Sequence, residues 1–496
     1  MPRDSIYDHS LPPLDAVWRL AREVSALQPT RAGHPPRALL VGGYVRDHLL
    51  GRTTTDADVE VYGVPADRLE ALLEGIFPGR VNTVGRSFGV LKVHLVPGID
   101  VDVSLPRTDS KVTAGHRGFT VLGDPFLEYR EASRRRDFTV NALAYDPLTA
   151  ELLDPHRGLD DLDRRTLRAV DASTFPDDPL RVWRAFQFAA RLDFALDEGT
   201  TALVASMVRR GTLAELSRER VTDEIRKLMS APRPSVGLIL ARASGAVAAS
   251  FPELEALAAT PQDPEWHPEG DVWVHTLMVV DQAAGVVARG GWGLLDQEPL
   301  HVVLGALLHD LGKAGTTGQA VKDGRSRIVS PRHEAAGEAP ARAVLARLTF
   351  GEDAERAALA IVRWHLSPGS LYYALLRGEL DQRAYTNAVR KVLKRIHPVR
   401  WQVLIAACEG DWRGRAIPGV DAVPFDPGLT FARAIEAEKL DVSPPAPLVL
   451  GRDVLALGIE PGPRVGRLIE DVEDARDRGE IETRDEALAL LQRLVE

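Results

Sequence analysis

Apolar positions follow two different patterns along the chain, and the change comes near residue 150. In the first part they alternate over short runs. Leu39-Leu40-Val41 is a brief apolar run, Gly42-Gly43 breaks it, and Val45-Arg46-Asp47-His48-Leu49-Leu50 follows with helical spacing. Thr53–Val61 is rich in β-branched residues and reads as a strand. The pattern predicts strands at Ala38–Val41, Ala57–Tyr62, Val90–Leu95 and Ile99–Ser104, with helices over Leu14–Leu27 and Pro65–Ile76. Between Arg107 and Arg134 lies a loop rich in Gly, Thr and Arg without strong periodicity. From 151 to 235 the pattern turns helical: a proline-bounded start at Phe175–Pro179 leads into an apolar face of Leu180, Trp183, Phe186 and either Phe188 or Ala190. The remainder is mostly helical, with a Pro-rich break near 441 and two final helices joined by a short loop.

Composition narrows the class. At 496 residues the chain has room for about three domains. Hydrophobic content of 45% and charged content of 27% suit an ordinary globular protein, and no apolar run approaches the ~18 residues of a membrane span. The start, MPRDSIYDHSLPPLD, lacks a basic-then-apolar leader, and the single Cys408 excludes an internal disulfide framework, so a reducing cytoplasm without a membrane partner is expected. A net charge of −10 argues weakly against a nucleic-acid partner, although a local basic groove can act within an acidic protein. The densest basic stretch, residues 382–400, is a solvated face or a weak candidate for contacting RNA phosphates. Nothing in the sequence sets the oligomeric state.

Several residue groups carry chemistry. Glycines at 42 and 43 let backbone approach a phosphate chain at a helix start. On a strand Asp56 and Asp58 point the same way, and a divalent cation is the usual reason to place two carboxylates together. Either feature alone is more often structural; in sequence they are the equipment of phosphoryl or nucleotidyl transfer. Gly98–Ser104 alternates again and supplies a third carboxylate from Asp100 or Asp102. Arg134-Arg135-Arg136, beside Asp137 and Asn141, is either a triphosphate clamp or a solvated basic turn. Asp178 and Arg181, three apart, share a helical face. In the second half, His275, the adjacent His309-Asp310, His333, His365 and Asp411 recur on consecutive helices, a donor set that can hold one or two divalent metals and activate water.

These motifs carry a family resemblance. LVGGYVRD followed by DAD, DVSLPRTD, RRDFTVNAL, DDPLRVWRAFQFAARLDF and LSRERVTDEIRKLM together resemble the bacterial class II tRNA nucleotidyltransferase and poly(A) polymerase family. HDLGK within the ordered set of His and Asp, with WHPE and DWRGR, resembles the HD phosphohydrolase domain fused to some of its members. The resemblance implies an α+β multidomain chain. A polymerase-beta-like head at 37–150 (a small mixed sheet plus helices) would follow an N-terminal extension at 1–36. A helical base-reading neck at 151–235, an HD-type helical metal domain at 236–440 and an RNA-binding helical tail at 441–496 would complete it. The implied activity is untemplated addition of all or part of the 3′-terminal CCA of tRNA from CTP and ATP.

Residue roles follow by the same resemblance. Asp56 and Asp58 would hold Mg²⁺, with Asp102 preferred over Asp100 as the third carboxylate. Gly42, Gly43, Arg46, Arg136, Asp137, Asn141 and Arg184 would form the nucleotide site, and Asp178 and Arg181 would choose the base. The loop after Arg107 would help switch addition from C to A. In the HD part, His275, His309, Asp310, His333, His365 and Asp411 would bind a transition metal such as Ni, Mn, Co or Fe and support phosphatase or cyclic phosphodiesterase chemistry. Competing readings are a CC-only or A-only enzyme, a poly(A) polymerase, and a chain acting solely as an HD hydrolase or RNA-binding module.

Overall fold

The computed structural model describes residues 12–54, 56–82, 90–96, 99–111, 119–322, 324–440, 447–477, 480–481 and 483–495. The chain forms two compact units, residues 1–251 and 252–496.

In the first unit, helix α1 (Pro12–Ser25) precedes β1 (Arg37–Val41), α2 (Gly43–Leu49), β2 (Ala57–Tyr62) and α3 (Ala66–Ile76). Strands β3 (Val81–Asn82), β4 (Val90–Val96), β5 (Ile99–Ser104), β6 (Arg107–Lys111), β7 (Phe119–Gly123), β8 (Ala144–Tyr145) and β9 (Leu152–Leu153) follow. Seven of them make a mixed sheet in the order β3-β4-β5-β2-β1-β8-β9. Strand β2 runs antiparallel to β1 and parallel to β5, which accounts for its near-continuous burial and its Ala/Val content. Leu14, Val17, Leu20 and Val24 recur at helical spacing on α1 and are buried in the same core as Val59, Val61, Leu73, Val101 and Val103. At ~1.5–3 kcal/mol for each fully buried aliphatic side chain, that face makes α1 part of the head's core, where the sequence suggested a loosely flanked helix.

Two other expectations change. The strand begins at Ala57, so Asp56 sits just before the ladder and is exposed. The apparently aperiodic stretch after Arg107 contains an antiparallel hairpin, β6 with β7; the wholly polar β6, Arg107–Lys111, hid it. Residues 112–118 of that stretch lie outside the described residues.

The rest of the first unit contributes α4 (Leu180–Leu192) and α5 (Arg218–Met229), which pack together, with a short parallel pair at 166–167 and 195–196. Pro179 leads into α4, and Ser217 caps α5 by accepting from the Arg220 amide. Asp178 lies before α4 with extended backbone (φ −114°, ψ 103°), so it shares no helical face with Arg181 as the spacing suggested.

The second unit is built on α6 (Val272–Ala288), α7 (Glu298–Leu308), α8 (Glu352–Trp364), α9 (Gln382–Ile396) and α10 (Trp401–Arg413). Helices α6, α7 and α10 pack together through long apolar runs, and α8 packs on them through the apolar face of Ala354, Ala357, Ala358, Ile361 and Val362. A hairpin of β10 (Gly318–Lys322) and β11 (Arg325–Val329) interrupts the helices, which the sequence pattern did not suggest. Helices α11 (Pro463–Asp477) and α12 (Arg484–Val495) close a smaller core of their own around Leu468, Val472, Ala487 and Leu491. No helix among the described residues is long and apolar enough to cross a membrane.

Candidate functional site

The head brings its candidate residues together along one row of the sheet. Val41 opposes Asp58, Asp58 opposes Asp102, and Asp102 opposes Lys92 across β1, β2, β5 and β4. Lys92 Nζ lies 2.6 Å from Asp102 Oδ1, so Asp102 already has a cation. Asp100 instead faces His94 Nδ1 at 2.7 Å. Burial, with Asp56 and Asp102 adding repulsion and Arg136 opposing it, pushes the Asp58 carboxyl up to about 6. Asp56, Asp58 and Asp102 do not form a three-donor cluster as tight as those of the second unit. Their mutual repulsion is nevertheless what a divalent cation relieves, and the donors are the hard oxygens Mg²⁺ takes.

Gly42 has φ 72° and ψ −131°, and a Cβ there would stand 2.8 Å from Arg136 Nη1 and 3.7 Å from Asp58 Oδ2. Only glycine lets α2 start so close to both groups. Gly43 lies over the guanidinium of Arg46, which is buried: its Nε donates to Asp47 Oδ1 at 2.8 Å, its Nη1 to Asn141 Oδ1, and its plane covers Phe188. Arg46 therefore positions Asn141 and presents no open guanidinium to a phosphate.

Of the arginine run, Arg134 pairs with Asp171, while Arg135 and Arg136 turn inward to Glu60. Glu60 is 1% exposed and also accepts from the Tyr62 hydroxyl at 2.8 Å. Burial opposes its charge, yet Arg136 and Arg135 hold it below the usual carboxylate range. Two residues after Asp58 on the same strand face, Glu60 anchors the arginines that face the site. Asp137 accepts from Asn141 Nδ2 at 2.9 Å and from Arg184 Nε at 2.7 Å, which ties it to α4. Asp178 accepts from Arg220, 2.9 Å at Oδ2, and Arg181 donates to the carbonyls of Thr174 and Arg135. Asp178 and Arg181 thus reach the same region through different partners.

The second unit assembles all six of its predicted donors. His275, His309, Asp310, His333, His365 and Asp411 are buried, in two groups whose donor atoms lie within 4.8 Å of one another. Gly312, in HDLGK, lets the chain pass over the His333 carbonyl where a Cβ would overlap it. The Nδ1 atoms of His309, His333 and His365 lie 2.8, 2.9 and 3.0 Å from backbone carbonyls, which only accept. Each ring therefore donates from Nδ1 and turns Nε2 inward. There His333 and His365 bring Nε2 atoms within 3.3 Å, and His309 and His333 bring theirs to 3.2 Å from Asp310 oxygens. Lone pairs packed like this need a cation among them, a proton or a metal, and the imidazole–carboxylate set fits a divalent metal. His309 Nε2 and both Asp310 oxygens lack a well-directed hydrogen bond, even though Lys313 Nζ is 2.7 Å from one of those oxygens. Asp310 holds His309 and His333 above the usual histidine range against burial, whereas burial brings His365 down to about 3.

Glu269 completes the second site without having been singled out in the sequence. Its side chain is nearly fully buried, and its Oε1 lies 2.8 Å from Nδ1 of both His267 and His275. Its only signal was its place in WHPEGD, six residues before His275. Lys313 donates to Gln262 at 2.8 Å, and a cleft of about 210 Å³ opens over Asp310, Lys313, His333 and His365.

A mixed sheet carrying a carboxylate row, joined in one chain to a buried histidine–aspartate centre, defines a polymerase-type head with an HD domain. Family matches agree: the poly A polymerase head domain over residues 38–168, the probable RNA and SrmB-binding site of polymerase A over 193–257, and the HD domain over 272–394. The multifunctional CCA protein of Xanthomonas campestris pv. campestris (strain B100) is 36% identical over 436 residues, covering 87% of this chain and 95% of that one. That of Stenotrophomonas maltophilia (strain K279a) is 36% identical over 416 residues, 82% of this chain and 93% of its own. The chain belongs to the multifunctional CCA protein family. In fold it is similar to the Thermotoga maritima CCA-adding enzyme complexed with tRNA, at 18% identity, TM-score 0.55, and coverage of 100% and 98% of the two chains.

Proposed function

We propose that the first unit adds all or part of the 3′-terminal CCA to tRNA from CTP and ATP without a nucleic-acid template. The observation that carries this reading is Asp58, set against Gly42 and Arg136 with its carboxyl raised to about 6. It is supported by relatives named multifunctional CCA proteins and by a fold shared with CCA-adding enzymes described in complexes with CTP and with ATP. In this reading residues 37–150 are the head, 151–235 the neck, 236–440 the HD domain and 441–496 an RNA-binding tail, with 1–36 as an extension whose helix completes the head.

Asp56 and Asp58 would hold Mg²⁺, with Asp102 beside them once Lys92 yields. When bound, the ion lowers the pKa of the primer 3′-hydroxyl and offsets charge on the phosphates. Arg136, fixed by Glu60, presents a delocalised cation across Gly42 toward the triphosphate. Arg46, Asn141, Asp137 and Arg184 form a connected polar chain that holds this wall in place. Asp178 accepts from the amino group of C or A and Arg181 donates to ring acceptors, a pairing that G and U do not match. Arg220, on Asp178 in the structure, would hold that carboxylate in position. Incorporation of labelled CTP and ATP into tRNA transcripts lacking the terminal CCA tests the reading.

A second activity is favoured by the inward-turned Nε2 atoms of the HD centre. We infer that His275, His309, Asp310, His333, His365 and Asp411 would hold Mn, Ni, Co or Fe, which supplies an activated water to a phosphoester. Retention of that metal by the full chain, lost in an Asp310→Ala variant, tests it.

A further inference from the structure

We propose that Lys92 is a tethered counter-ion of the carboxylate row: it stands where a divalent ion would take up Asp102 and yields that place by moving to Asp100, so that it sets how much metal the head requires. The proposal rests on the transferase reading above and names a control on its metal site. Alternation along β4 puts Leu91 and Val93 into the core of the head and Lys92 and His94 on the opposite face. There Lys92 opposes Asp102 and His94 opposes Asp100 on β5, while Asp102 opposes Asp58 on β2. The ammonium therefore closes the row that starts at Asp58.

The hold on Asp102 is close but easily given up. Lys92 Nζ is 2.6 Å from Asp102 Oδ1, yet that buried oxygen has no well-directed hydrogen bond. Both side chains also face solvent, Lys92 at 42% and Asp102 at 31%, where ion pairs are weak. A divalent ion brings twice the charge and takes several oxygens at once, so it competes well against one ammonium for a shared carboxylate. Lys92 has a second berth within reach. Asp100 Oδ2 is 3.8 Å from the same Nζ, and Asp100 meets His94 Nδ1 through its other oxygen at 2.7 Å. A flexible four-carbon stem on a fixed strand suits that move.

The test measures Mn²⁺ binding to the full chain without nucleotide, from the loss of the free ion's electron paramagnetic resonance signal. Asp58→Asn serves as the blank, since it leaves only the ions held elsewhere. Lys92→Met keeps the length of the side chain without its charge and should lower the Kd of the head about 2- to 5-fold, the worth of a solvent-facing ion pair that the metal no longer has to break. Lys92→Arg, which keeps the charge, should stay near the wild type. Asp100→Asn removes the second berth, so it should weaken Mn²⁺ binding in the wild type and have little effect in the Lys92→Met background. Unchanged or weaker binding in Lys92→Met, equal tightening in Lys92→Arg, or equal effects of Asp100→Asn in both backgrounds would overturn the proposal. It also fails if neither the wild type nor Lys92→Met binds more Mn²⁺ than the blank. CTP incorporation by the same preparations then shows whether the transferase reading falls with it.

Discussion

The two centres of this chain are built on opposite plans. The HD centre is buried and preformed: all six donors lie inside, and each inward Nε2 is aimed by a partner at its own Nδ1. The head's site is an open row on a sheet, with Asp56 exposed, Asp102 claimed by Lys92, and Asp58 repelled by its neighbours. A buried metal site can be complete before its ligand arrives. A site that must admit a primer end and a triphosphate stays open, and its carboxylates stay frustrated until substrate and metal enter. The arginines behind the row are the rigid part, locked onto Glu60 and Asp137.

The largest effect separates the two centres outright. Asp58→Asn should lower nucleotide incorporation by about 10²- to 10³-fold, the scale on which losing one preorganised electrostatic stabiliser acts, and leave metal retention by the HD centre intact. Loss of both properties would mean that the centres are coupled.

The next largest tests the rigid wall. Glu60→Leu leaves the half-buried Arg135 and Arg136 without their anion, so the first unit should lose stability, at most the ~3–5 kcal/mol of breaking a fully buried pair. Thermal unfolding with a domain-resolved probe measures this, and an unchanged midpoint would remove Glu60 from the account.

The frustration of Asp58 has a sign of its own. Its folded pKa of about 6 lies above the unfolded ~3.9, so its penalty is absent below pH ~4, grows as pH rises and is complete above about 6. In chelator at pH 8, Asp58→Asn should therefore stabilise the first unit by up to about 3 kcal/mol, with no gain at pH 4. Glu60 and Asp137 run the other way. Their folded pKa values are depressed, so their stabilisation is full above the ordinary carboxylate range and is lost as pH falls through the lowered values.

On the buried side, Glu269→Ala frees Nδ1 of His275 and His267 and should weaken metal binding about 10- to 100-fold, read by equilibrium dialysis, with CCA addition unaffected. The smallest effect belongs to the surface. Lys394 and Glu473, 3.3 Å apart between α9 and α11, should contribute only ~0.2–1 kcal/mol, and less in high salt.

Legibility in the sequence follows the same division. The HD donors were readable because each sits in a short motif on a helix or just past its end, as His309, Asp310 and His365 do, and helices bring such residues inward without needing to know a strand register. Glu269 was in plain view in WHPEGD, but nothing in a sequence tells one carboxylate oxygen that it will serve two histidines. In the head, β1, β2, β4, β5 and α3 were readable from alternation and spacing. Glu60 was not, since it looks like one more polar position on a strand until Arg135 and Arg136 fold back against it. Asp178 was misread for the opposite reason: three-residue spacing suggests a shared helical face, but the helix begins only at Leu180, after Pro179. Arg46, in a motif that suggests phosphate contact, is spent on Asp47 and Asn141.

The central claim is that the open row in the head performs untemplated, self-limiting addition. The most direct measurement supplies labelled CTP and ATP, separately and together, to tRNA transcripts ending before the CCA, after the first C and after CC. Stepwise growth to CCA followed by a halt is the expected result. Unlimited addition of A, or no incorporation by a chain whose HD centre still retains its metal, would contradict it.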